Sequence, residues 1–136
     1  MKNERVMFEP TIEWMREVYD AFNTMFFKRK LPNEIEFKFV NAKTFGGDAR
    51  FWKNKRRTKE CTIKNNGWYV GSFRIRLSTF YNNITRHEAE LLMLHEMIHI
   101  YQFSNLPFSE WNGSGIRGSH GYTFTEWIDR IKEMSN

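Results

Sequence analysis

Cysteine is almost missing from this 136-residue chain: Cys61 stands alone. That excludes an internal disulfide framework and any four-cysteine zinc ribbon. Long apolar runs are missing too. The longest, Leu91-Leu92-Met93-Leu94, falls far short of a bilayer span, so no membrane partner is expected. Glu4 and Arg5 sit where a secretion signal would need its apolar stretch, so no such signal is expected and the expected location is the cytoplasm. There is no internal repeat, linker or low-complexity tract. Aromatic residues, by contrast, are plentiful, at 17% with 13 Phe among them, within a hydrophobic share of 40%. This excludes disorder as the overall state and provides for one core, so a single domain over residues 1–136 is expected.

Charge is unevenly placed. Residues 1–80 carry 17 basic and 9 acidic side chains, whereas residues 81–136 carry 4 and 7. The basic excess lies upstream and permits an anionic partner such as nucleic acid, although a solvated basic face would read the same way.

The hydrophobic pattern predicts an α+β fold. A helix is expected from about Pro10 to Lys30, with Met15, Val18, Tyr19, Phe22 and Phe26 as its buried stripe and Leu31-Pro32-Asn33 as its stop. Period-two alternation follows from Ile35 to Ser78 and predicts a small antiparallel or mixed sheet. Its strands begin with Ile35 to Val40, then Thr44 to Trp52 with a bend or bulge at Gly46-Gly47. Cys61–Lys64 and Trp68–Leu77 then pair through the hairpin signal Asn65-Asn66-Gly67. In the last strand Phe73, Ile75 and Leu77 face one way, Arg74 and Arg76 the other. A buried helix starts at Thr85-Arg86-His87-Glu88, which has capping-box spacing, and runs to about Phe103. Residues 104–121 read as a loop, and a short helix from about Thr123 to Met134 closes the chain.

The buried helix contains His95-Glu96-Met97-Ile98-His99, the H-E-x-x-H pattern. Histidines four apart share one helix face and can reach one ion, while Glu96, about 100° round the helix, stands beside that ion. There its carboxylate can act as general base on a water activated by zinc, the arrangement of a peptide-hydrolysing metal site. With four His and 13 Glu in the chain, chance supplies only about 0.01 such matches. Three polar groups on an otherwise apolar buried helix are costly unless something binds them. Spacing leaves the third ligand open. His120, 21 residues after His99 and flanked by Gly118 and Gly121, leads; Glu126 competes and Glu110 is a weaker option. His87 is expected to cap the helix or face solvent. The metzincin pattern fails, because Gln102 replaces its Gly and Asn105 its third His.

Several motifs in order make the chain resemble the SprT-like family of zinc metalloproteases, which includes proteases of DNA–protein crosslinks. They are Leu31-Pro32 after the first helix, the Gly46-Gly47 bend, and Arg74-Ile75-Arg76-Leu77-Ser78. The active-site helix follows, and then His120-Gly121-Tyr122-Thr123-Phe124, similar to the family's H-G-x-x-F/W. The resemblance spans about residues 12–134. It implies that His95, His99 and His120 bind Zn2+, that Glu96 is the general base, and that Phe124 anchors the ligand loop by packing. It leaves Tyr122 either as an oxyanion stabiliser or as a first-turn core aromatic. Family members often carry a C-terminal zinc-binding segment; with Cys61 alone, no cysteine ribbon is expected here.

The segment Lys53-Asn54-Lys55-Arg56-Arg57-Thr58-Lys59 places five cations in seven residues, with Phe51, Trp52, Trp68 and Tyr69 expected at its border. Lys53, Lys55, Arg56, Arg57 and Lys59 thus suit single-stranded DNA, through phosphate contacts and base stacking, or merely solubilise a loop. The sequence alone leaves both open, and the resemblance favours DNA. The leading expectation is a zinc endopeptidase with a protein or peptide substrate, acting on DNA-associated or DNA-crosslinked proteins. The alternatives are a metallopeptidase of one specific protein with no DNA role, and a non-enzymatic zinc-containing nucleic-acid-binding module.

Overall fold

Alternation in the middle of the chain becomes a four-stranded mixed sheet, over which the helices close, in a computed structural model that describes residues 7–80, 83–111, 120 and 122–135. The fold is α+β, as the pattern predicts. The strands are β1 (Ile35–Val40), β2 (Gly47–Asn54), β3 (Cys61–Asn65) and β4 (Trp68–Ser78). All pairing runs through β4: β1 is parallel to its residues 73–78, β2 antiparallel along 69–77 and β3 antiparallel along 68–71. β3 and β4 form the predicted hairpin, with Asn66 and Gly67 both at positive φ (49° and 90°), as a two-residue primed turn requires. The order β1-β4-β2 leaves β2 at one edge.

The register sorts the two faces. Ile35, Phe37 and Phe39 lie opposite Phe73, Ile75 and Leu77 and supply the core. Arg74 and Arg76 point to the other face, beside Glu36 and Lys38 of β1 and Asp48 and Arg50 of β2. The bend expected at Gly46-Gly47 is present at Gly46, just before β2, and a bulge in the pairing lies further along. Between Arg50 and Trp52 the pairing moves from Arg74 to Gly71, so β4 spends one extra residue and Ser72 takes φ 51°. Gly71 is obligatory: a Cβ there would sit 1.8 Å from the Glu60 carbonyl oxygen.

Helix α1 (Ile12–Phe27) is shorter than its sequence pattern at both ends. Thr11, not Pro10, sets the start, its hydroxyl accepting from the Trp14 amide at 3.0 Å. At the far end Lys28 and Arg29 adopt left-handed backbone (φ 52° and 63°). The buried Asn23 amide pulls the chain back by pairing with both backbone groups of Leu31. Trp14, Met15, Val18, Tyr19, Phe26 and Phe27 are buried; Phe22 is half-buried.

Helix α2 (Arg86–Asn105) has the predicted capping box, with Thr85 and Glu88 each accepting the other's amide. It packs against β2 and β4 as well as α1, with Ala89, Met93, Met97, Ile98 and Ile100 fully excluded from solvent. The buried Asn65 amide donates to the Phe103 and Leu106 carbonyls, both at 2.9 Å, satisfying groups that the helix end leaves free. The stretch expected as loop contains a single helical turn, α3 (Phe108–Trp111), where Phe108 and Trp111 pack on Phe51. Residues 112–119 of that expected loop, and Gly121, lie outside the described residues. Helix α4 (Tyr122–Ser135) buries Thr123, Phe124, Trp127 and Ile131 against α2 and α3. Among the described residues no helix is long and apolar enough to cross a membrane.

Candidate functional site

Burial of α2 places His95, Glu96 and His99 inside the molecule instead of on its surface. His95 is half-buried, whereas Glu96 and His99 are 4% and 6% exposed. His120, three residues before Thr123 on α4, comes down over the pair. Its Nε2 lies 3.1 Å from His95 Nε2 and 3.1 Å from His99 Nε2. One ligand atom from each of the three lies within 4.8 Å of the others, so the triad could hold a metal ion. Tetrahedral coordination at about 2.0–2.1 Å from imidazole nitrogen separates ligand atoms by about 3.3 Å. The convergence is therefore of the right size. A ring nitrogen offers one in-plane site, either a proton or a lone pair, so His120 Nε2 cannot satisfy both neighbours by hydrogen bonding, which a cation among the lone pairs would resolve.

Phe124 holds the rings together. Its centroid lies 4.8 Å from that of His95, 4.9 Å from His99 and 5.0 Å from His120, consistent with the packing anchor expected of it. On the far side of His99, Nδ1 meets Gln102 Oε1 at 2.8 Å, and Gln102 Nε2 donates to Thr123 Oγ1 at 2.9 Å.

The electrostatics follow from this burial. Desolvation lowers the proton affinity of His95, and the charge of His120 adds to the effect. For His99 burial is again the main cause; the Gln102 hydrogen bond opposes it, and the result is a pKa of about 4. Both rings are therefore neutral at neutral pH, as metal ligation would require. Glu96 moves the other way, raised to about 8 by burial first and by the charge of Asp48 second. Burial alone would also raise the Asp48 carboxyl, but hydrogen bonds and charge from Arg76, with help from Arg50, hold it below the usual carboxylate range. Arg76 binds Asp48 through two nitrogens, Nε at 2.8 Å from Oδ1 and Nη2 against Oδ2.

The other expected ligands are not brought to this cluster. Glu126 is exposed on α4 and Glu110 is on α3; His87, expected to cap α2 or face solvent, is exposed in its first turn. The side chain of Tyr122 lies outside the described residues. Sequence reasoning missed Asp48, Gln102 and Thr123. Gln102 carried a usable signal, being a polar residue three positions after His99 on the same buried face; Asp48 carried none.

Lys53 is the last residue but one of β2, and Lys55, Arg56, Arg57 and Lys59 follow in its connection to β3; all five are exposed. The four aromatic neighbours have different environments. Phe51 turns inward and stacks on Phe103 at 4.4 Å. Trp68 is covered by its own lysines, with Lys53 Nζ at 4.6 Å and Lys55 Nζ at 4.2 Å from its ring. Tyr69 is half-buried. Trp52 alone among them is open, at 52% exposure, with the Arg74 guanidinium 5.9 Å from its ring.

The family model of the SprT-like family matches residues 15–136. No curated protein matches the chain.

Proposed function

Because this chain belongs to the SprT-like family, we propose that it is a zinc-dependent endopeptidase, acting as one domain over residues 1–136. His95, His99 and His120 hold the zinc and Glu96 is the general base. The observation that carries this reading is the meeting of three imidazole Nε2 atoms, with a buried carboxyl of raised proton affinity next to His95 on the same helix. An all-nitrogen set of three with a position left over suits catalytic zinc, whereas structural zinc is normally closed by four protein ligands. When bound, the metal supplies Lewis-acid polarisation of a water or of the scissile carbonyl.

The remaining steps belong to the chain. Glu96 accepts a proton from the attacking water at a carboxylate oxygen and returns it to the leaving amine. Burial and Asp48 raise its proton affinity in the metal-free fold, which strengthens it as a proton acceptor. Arg76 keeps Asp48 ionised and in place. Among the described residues the edge of β2, which begins at Gly47 beside Glu96, is unpaired and can take an extended substrate backbone through main-chain hydrogen bonds. Such pairing reads the peptide backbone and fits cleavage within a chain.

For the substrate class, the exposed cations Lys53, Lys55, Arg56, Arg57 and Lys59, with the open ring of Trp52, support contact with single-stranded DNA and action on proteins bound or crosslinked to it. The test is proteolysis of a DNA-binding protein by the zinc-loaded chain, with and without single-stranded DNA and with Glu96→Gln as control. Cleavage that requires Glu96 and rises with DNA is expected. Cleavage indifferent to DNA leaves the peptidase and removes its DNA role. Equal cleavage by Glu96→Gln removes Glu96 from the mechanism.

A further inference from the structure

Gln102 is the most deeply buried polar side chain near the histidines, at 0% exposure, and it touches two elements at once. Its carbonyl oxygen faces His99 Nδ1 and its amide nitrogen faces Thr123 Oγ1 in the first turn of α4. An amide oxygen can only accept, so His99 carries its proton on Nδ1 and turns a lone pair at Nε2 toward His120. The reverse orientation of the amide would require a lone pair on Nδ1 and put the proton on Nε2, blocking the atom that meets the other rings. Thr123 is the amide's other partner in this orientation. Its buried hydroxyl, at 4% residue exposure, accepts from Gln102 Nε2 and stands three residues after His120. One amide therefore sets the protonation pattern of one histidine and pins the start of α4, two residues after another.

We propose that Gln102 and Thr123 are positioning residues of the metal site: a buried relay that fixes His99 as its Nδ1–H tautomer and seats α4 so that His120 meets the α2 pair. This inference rests on the metal-site reading above. Partners that hold the second nitrogen of a metal-ligating histidine orient the ring and raise its basicity, and their loss typically costs 10–100-fold in metal affinity. Here the partner is a neutral amide on the same helix as the ligand, and its second hydrogen bond crosses to α4.

The test measures zinc affinity by chelator competition, and the His99 ring-nitrogen NMR shifts of the metal-free chain, for the wild type and four variants. Gln102→Leu should lower zinc affinity about 10–100-fold and release the His99 tautomer. Gln102→Glu keeps an acceptor for Nδ1–H and can accept from the Thr123 hydroxyl, so affinity should be retained. Thr123→Val should lower affinity, because the hydrogen bond from Gln102 Nε2 to α4 is lost, and Thr123→Ser should retain it. If Gln102→Leu does not fold, Gln102→Glu and the two Thr123 variants carry the test. Wild-type affinity in both Gln102→Leu and Thr123→Val overturns the relay alone, as does a Gln102→Glu protein as weak as Gln102→Leu. A wild-type chain that takes up no zinc overturns the metal-site reading and the relay with it.

Discussion

Gly47 and Glu96 are built against each other: a Cβ at position 47 would stand 3.4 Å from Glu96 Oε2 and 2.9 Å from the Arg76 carbonyl oxygen. A side chain at position 47 would only touch the carboxylate but would collide with the Arg76 carbonyl of β4. Gly47→Ala should push β2 away from β4 and cost about 1–3 kcal/mol of stability. It should also lower kcat/KM more than zinc content. Thermal unfolding, metal analysis and peptide hydrolysis on the same preparation check this; unchanged stability and activity would show that the strand tolerates the methyl.

The buried carboxylate sets a pH dependence in the metal-free protein. Glu96 binds its proton up to about pH 8 in the fold but only to about 4.5 when unfolded. The native state therefore holds the extra proton between those values, and stability falls as pH rises through that window. The lowered values of His95 and His99 act in the opposite sense, with stability lost as pH falls below about 6.5. From about pH 6.5 to 8, Glu96 acts without them. Metal-free Glu96→Gln should gain stability relative to wild type across that interval, on the order of a few kcal/mol at its upper end. Tm against pH for the two proteins measures it, and parallel curves would refute it.

Third-ligand identity separates His120 from Glu126. His120→Ala should weaken zinc binding by more than the 10–100-fold typical of losing an outer-shell partner. Glu126→Ala, at an exposed site on α4, should bind as wild type does. Chelator competition on both variants decides, and the reverse result would move the ligand to α4.

The cations after β2 can be tested by salt dependence. Lys55, Arg56 and Arg57 are exposed; changing all three to Gln should weaken single-stranded DNA binding. It should also flatten the slope of log K against log salt by about 2, at about 0.7 per phosphate contact. An unchanged slope would mean that this connection is only solvated. Trp52→Ala should weaken binding without altering the slope, because stacking releases no counterions.

Much of the fold was legible wherever the determinants are local. The Thr85 to Glu88 capping box, the Asn66-Gly67 turn and the split of Arg74 and Arg76 from Phe73, Ile75 and Leu77 each depend on neighbours within a few residues. The parallel pairing of β1 with β4 was not legible, since alternation reports which face is buried and not strand direction. The ends of α1 escaped because Asn23 reaches eight residues along the chain to Leu31. The single turn of α3 is too short to show a period, and aromatic packing on Phe51 accompanies it. In the site, His95, Glu96 and His99 were visible because one helix carries them. Choosing among His120, Glu126 and Glu110 needed either the family resemblance or the tertiary placement of α4. The contacts of Asp48 with Arg76, and of Gln102 with Thr123, span 28 and 21 residues and had no pattern to announce them.

Zinc-edge X-ray absorption of the loaded protein tests the central claim most directly. Three imidazole nitrogens at about 2.0 Å and one further light atom are predicted, the signature of a site with a position open to water or substrate. Sulfur scattering near 2.3 Å, a fourth imidazole, or only two imidazoles would contradict the triad of His95, His99 and His120.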